Sequence, residues 1–185
     1  MLLTGNSILE SIENGEISIE PFDKDFLGVN SYDVHLSPNL VIVSDECLDV
    51  YTQYNGTPIV IPPDGVVLYP GTLYLGVTME FTSSPKYVPM LDGCSTLGRY
   101  GINIHQTAGF GDLGFSGHWT LEITVIKPTR VYPYMRIGQV SFEPVIGNTG
   151  VTYQELGRYN VKSSRNPAPK LALPERAVDP SIFGA

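Results

Sequence analysis

The chain has 185 residues, 42% of them hydrophobic, and 11 Lys and Arg against 19 Asp and Glu, a formal net charge of −8. That length buries one substantial core and predicts one domain, and the acidic balance disfavours a nucleic-acid polymer as partner, which would demand a basic stripe. No run approaches the ~20 apolar residues of a membrane span, the N-terminus lacks a secretory pattern, and the two cysteines predict a reduced, cytoplasmic protein without a disulfide framework.

Glycine and proline are spread along the chain, and Val, Ile, Thr and Tyr are frequent, so many short strands joined by turns are expected. A short helix opens the fold: Thr4 or Asn6 caps it, Ser7 and Glu10 read as a capping box, Ile8, Leu9 and Ile12 share a face, and Gly15 ends it. Ile17 and Ile19 alternate with polar neighbours as in a short strand stopped by Pro21. Tyr32, Val34 and Leu36 alternate with Asp33 and His35, and Leu40 to Val43 form an apolar run. Ile59 to Ile61 precede the turn Pro62-Pro63-Asp64-Gly65. Further strands are predicted at Val66 to Leu68, Thr72 to Phe81, Ile102 to Ile104, Trp119 to Ile126, Arg130 to Tyr132 and Gln139 to Phe142. The pattern predicts a mainly β fold, a barrel or jelly-roll-like sandwich.

After Val151 apolar density falls. Residues 160–185 read as a tail, free or folded over the site, beyond a domain of residues 1–159. Arg158, Lys162, Arg165, Lys170 and Arg176 give this end a local positive charge that suits a small polyanion.

The chemistry concentrates between Asp92 and Glu122. Ser95, Thr96 and Arg99 follow Gly93-Cys94, a spacing that serves either a phosphate grip or an ordinary turn into a short helix. In Trp119-Thr120-Leu121-Glu122-Ile123-Thr124-Val125 the apolar residues take one face, and Glu122 faces solvent or lines a pocket. Asp112 lies in a Gly-rich loop where turn-forming Asp is equally common. His35, His105 and His118, with Cys47 and Cys94, show no structural-zinc spacing.

Taken together, Gly93 to Glu122 resembles the active-site region of the dCTP deaminases, relatives of the trimeric dUTPases. Ile19-Glu20-Pro21-Phe22, Ser31-Tyr32-Asp33-Val34, Ile61-Pro62-Pro63 and Arg136-Ile137-Gly138-Gln139 extend the likeness over Met1 to about Tyr159. The resemblance implies a dUTPase-like distorted β-barrel that assembles as a homotrimer with shared active sites. It implies catalytic roles for Glu122, Ser95, Arg99 and Asp112. It also implies nucleotide contacts from Thr96, His105, Gln106, Thr107, Ala108, Gly109, Phe110, Tyr153, Arg158 and Lys162.

The implied reaction is deamination of dCTP to dUTP and ammonia, with Glu122 as base and then acid. His105-Gln106-Thr107-Ala108-Gly109-Phe110 is more similar to the bifunctional branch, which continues to dUMP and pyrophosphate. Magnesium is implied as a companion of the nucleotide phosphates, with no zinc and no protein metal site. A dUTP or dCTP pyrophosphatase without deamination, and a nucleotide-sensing trimer, stand as the alternatives. Cys94 departs from the basic residue the family usually places there, and a thiol cannot make a forked phosphate contact.

Overall fold

The computed structural model describes residues 1–157, 159, 168–173 and 175. Arg158, Lys162, Arg165 and Arg176, and with them most of the expected basic tail, lie outside the described residues. Helix α1 (Gly5–Glu13) opens the chain with Thr4 as N-cap, its side chain accepting the Ser7 N–H at 3.3 Å. The cap therefore falls at the first of the two expected residues, and the Ser7–Glu10 capping box is not the one used. Ile8 is fully buried, Ile12 packs against the core, and Gly15 follows in the left-handed region with φ 71°.

Among the described residues eleven strands follow: β1 (Ser18–Glu20), β2 (Tyr32–His35), β3 (Asn39–Val43), β4 (Gly56–Val60), β5 (Val66–Leu68), β6 (Tyr74–Ser84), β7 (Tyr87–Gly93), β8 (Ile102–Asn103), β9 (Phe115–Val125), β10 (Thr129–Val131) and β11 (Arg136–Pro144). A short helix, α2 (Ser95–Arg99), and a 3-10 turn (Lys24–Phe26) interrupt them, and helix α3 (Tyr153–Leu156) follows the last. The largest sheet runs β4-β3-β6-β9-β8, with β1 also paired to β6; β2-β11-β7 form a second sheet and β5-β10 a third. All the pairings are antiparallel. Tyr32, Val34, Leu36, Leu121, Ile123, Ile137, Val140 and Phe142, drawn from both larger sheets, are fully buried in one core.

Strand β7 is absent from the sequence expectation, and Pro89 lies within it, where a strand disfavours proline. Its position explains the proline. Within the sheet β7 pairs with β11 alone, so it is an edge. Leu91 N–H and Pro89 C=O both point away from β11, toward Gly109 and Gly111, so the donor that Pro89 lacks is not one β11 requires.

Two motifs singled out separately in the sequence are neighbours here. On β2 and β11, Gln139 faces Asp33, Val140 faces Tyr32 and Arg136 faces His35. Arg136 reaches Asp33 at 2.9 Å, and Ser31 Oγ donates to Gln139 Oε1 at 3.2 Å. Tyr32 stacks on Phe22, centroids 5.4 Å apart, and its hydroxyl accepts the Asp23 N–H at 2.9 Å. These matches are structural: they join two strands and seat the loop after β1.

Candidate active site

Strand β9 is central, paired to β6 on one side and to β8 on the other. Trp119, Leu121, Ile123 and Val125 are buried, while Thr120, Glu122 and Thr124 share the opposite, half-buried face. Glu122 lies opposite Leu75 of β6, and its N–H donates to Ile104 O at 2.8 Å. A carboxylate on a strand held from both sides is rigidly placed.

The segment after β8 closes over it. The backbone N–H of Gln106 donates to Glu122 Oε2 at 2.9 Å. The Gln106 side-chain Nε2 donates to Glu122 O at 3.3 Å and to Thr124 Oγ1 at 3.2 Å. His105 is fixed beside it: Asn103 Nδ2 donates to His105 O at 2.8 Å, and His105 Nε2 lies 3.5 Å from Asp92 Oδ1. His105 Nδ1 is buried without a hydrogen-bond partner among the described residues. Thr107, Ala108 and Phe110 are exposed.

Gly109 and Gly111 lie close against protein atoms. A Cβ on Gly109 would lie 2.5 Å from Leu91 O and 3.0 Å from His105 Nε2, and one on Gly111 would lie 2.6 Å from Trp119 Cη2. The missing side chains let this loop run along the free edge of β7, where Leu91 N donates to Gly109 O and Gly111 N to Pro89 O. The loop is thereby tied to the edge that ends in Asp92 and Gly93.

Beyond Gly93, helix α2 begins with Cys94 as N-cap and no capping bond from its thiol. Cys94 and Leu97 are buried and Ser95, Thr96 and Arg99 exposed, so the short-helix reading of this segment holds at the backbone level. Arg99 Nη1 donates to Ser95 O at 3.0 Å, folding the guanidinium over its own helix.

The two carboxylates singled out in the sequence are far apart. Asp112 is exposed, and its carbonyl accepts the Phe115 N–H at 3.0 Å in the turn that starts β9. From Phe115 to Glu122 the strand advances by roughly 20 Å. Tyr153 belongs to the Asp112 end, its N–H on Leu113 O at 2.9 Å and its ring 6.1 Å from Phe115. Thus Glu122, His105 and Gln106 form one group, Asp112 and Tyr153 another, and Ser95, Thr96 and Arg99 a third on α2.

The C-terminal segment contributes a residue that motif reading passed over. Lys170 N–H donates to Thr120 Oγ1 at 3.2 Å, on the Glu122 face of β9, and its ammonium contacts Tyr159 O. The only signal for it was the basic character of the tail. Among the described residues no three His, Cys, Asp or Glu side chains gather as a metal-binding group. No helix among them is long and apolar enough to cross a membrane.

The family description "dCTP deaminase-like" matches residues 2–145. The chain belongs to the dCTP deaminase-like family. It is 49% identical over 147 residues to a "dCTP deaminase, dUMP-forming" of Clostridium beijerinckii, covering 80% of this chain and 84% of that protein. It is 42% identical over 168 residues to a protein of the same description from Leptospira biflexa, covering 91% and 95%. Its fold is similar to the crystal structure of a 2'-deoxycytidine 5'-triphosphate deaminase from Agrobacterium tumefaciens, with a TM-score of 0.62 at 19% identity. That match covers 78% of this chain but 48% of the other, so this dCTP deaminase-like chain spans about half that length.

Proposed function

We propose that this chain deaminates dCTP to dUTP and ammonia and then cleaves dUTP to dUMP and pyrophosphate. One observation carries the reading: Glu122 stands on the half-buried face of a strand paired on both sides, with Oε2 held by the Gln106 amide. The dUMP-forming description of relatives up to 49% identical favours it over a pyrophosphatase that does not deaminate or a sensing trimer.

In the first step Glu122 takes a proton from water as the oxygen bonds to C4 of cytosine. It passes that proton to the ring nitrogen N3, then takes the second proton from the C4 hydroxyl and delivers it to the amino group; the C4–N bond breaks, and ammonia leaves a C4 carbonyl. The groups on α2 serve the nucleotide: Ser95 and Thr96 offer exposed hydroxyls, and Arg99 a fixed positive charge once it turns from its helix.

For the second step Asp112 orients a water whose oxygen bonds to the α-phosphorus as the α–β bridging P–O bond breaks; pyrophosphate leaves with the bridging oxygen, and the water's proton passes to solvent. Magnesium bound to the phosphates would neutralise their charge, and the exposed Asp112 carboxylate is an oxygen donor suited to that ion or its waters. Deamination uses Glu122 rather than a zinc-bound hydroxide. Tyr153, Arg158 and Lys162 are assigned to the nucleotide on family likeness alone.

The separation of Asp112 from Glu122 supports a homotrimer whose sites join different parts of neighbouring subunits. Sedimentation of a species about three times 20.2 kDa is expected. The enzyme acts on free nucleotides in the cytoplasm. Incubation with dCTP and dUTP separately, with magnesium, tests the assignment: ammonia from dCTP and pyrophosphate with dUMP from both are expected. Pyrophosphate without ammonia would leave a simple pyrophosphatase, and binding without either product a sensor.

A further inference from the structure

The loop beside Glu122 contains an exchange of hydrogen-bonding roles. Strand β8 ends at Asn103, paired with Thr124, and Glu122 N–H on Ile104 O is the next bond along that edge. Continued from the Asn103–Thr124 pair, the register would set His105 opposite Glu122 and its backbone N–H on Glu122 O. The carboxamide of Gln106, one residue on, takes that main-chain oxygen, and the Gln106 N–H goes to the Glu122 carboxylate. The same Nε2, which carries two hydrogens, also donates to Thr124 Oγ1 at 3.2 Å.

We infer that Gln106 is a positioning residue for the proton relay, acting through its carboxamide on Glu122 O and Thr124 rather than on the substrate. With its carboxamide anchored on Glu122 O and Thr124 Oγ1, Gln106 is fixed where its backbone N–H holds Oε2. Oε1 is then the oxygen presented to the water and the ring. A residue without the carboxamide loses both anchors and leaves Glu122 O without that bond, and the loop that then shifts to satisfy it no longer holds its N–H on the carboxylate. This inference rests on the deaminase reading of Glu122 and adds to it the device that aims the glutamate.

The test is a double-mutant cycle on the full-length enzyme with dCTP, reading ammonia release. Gln106→Met keeps the length of the side chain and removes the amide. It is expected to lower kcat about tenfold while KM stays within about twofold, since one oriented hydrogen bond is lost at the relay. Thr124→Val should lower kcat in the same sense, Thr124→Ser should restore it by keeping the hydroxyl, and Gln106→Met with Thr124→Val should be no worse than Gln106→Met alone. A direct contact between Gln106 and the nucleotide predicts a raised KM and losses that multiply. That result, or wild-type kcat in either Gln106→Met or Thr124→Val, would overturn the inference. Wild-type protein that releases no ammonia from dCTP would overturn the deaminase reading itself.

Discussion

The backbone N–H of Lys170 donates to Thr120 Oγ1 at 3.2 Å, which puts the C-terminal segment on the face of β9 that carries Glu122, two residues along. Ala172 N on Tyr54 Oη at 3.0 Å, Gln53 Nε2 on Ala172 O at 3.1 Å and Leu173 N on Tyr159 Oη at 3.0 Å hold the same segment. Burial lowers the pKa of the Lys170 ammonium below its ordinary value. The folded value therefore lies under the unfolded one, and docking this residue becomes easier as pH rises through that interval. Thr120→Val removes the acceptor. Trypsin cleavage after Lys170 should accelerate about fivefold, as expected for local loss of one hydrogen bond; an unchanged rate would mean that the other ties suffice.

Glu122→Gln keeps the shape of the side chain and removes its basicity. Ammonia release from dCTP should fall by about 10²- to 10⁴-fold, the usual contribution of a general acid–base group, with dCTP affinity largely retained. Calorimetric titration alongside the ammonia assay separates the two quantities. Deamination near the wild-type rate would remove Glu122 from the mechanism.

Asp112→Asn should act on the other reaction. Its turn is made by the main-chain oxygen, not the carboxylate, so the fold is expected to persist. Pyrophosphate formation from dUTP should drop while ammonia release from dCTP continues, leaving dUTP to accumulate. Undiminished pyrophosphate would place that step on another residue.

Acid should loosen the stretch between β3 and β4 before the core. Asp45 accepts the Asn55 side-chain N–H at 3.0 Å and the Asn55 backbone N–H at 2.7 Å, and these bonds lower its pKa below the ordinary aspartate value. A depressed carboxylate contributes stability that is complete above the unfolded pKa and is lost as pH falls through the folded one. Fluorescence of Tyr51 and Tyr54, monitored from neutral pH downward, should show a transition below about pH 4 that Asp45→Asn abolishes. A transition identical in that variant would assign the acid response elsewhere.

Much of the strand order was legible because alternation is a local signal. Tyr32-Asp33-Val34-His35 and the stretch around Glu122 show period two in the sequence and take it in the fold. Strand β7 was not legible, since Pro89 breaks the local pattern and is tolerated only because β7 is an edge facing Gly109 and Gly111. The four-residue α3 and the four extra residues at the start of β9 also went unread. Both depend on contacts around Leu113 and Ser84 that no local periodicity announces.

Read alone, the amino-acid order settles that Glu122 shares a face with Thr120 and Thr124, because side chains alternate along any strand whatever lies beside it. It also settles the family, through motifs that recur in order. Only the tertiary structure decides that Gln106 holds the carboxylate, that Lys170 docks on Thr120 of the same face, and that Asp112 stands in the turn before that strand, far from Glu122. Those relations join residues distant in sequence or set by loop geometry, and the packing of β7, β8 and β9 creates them.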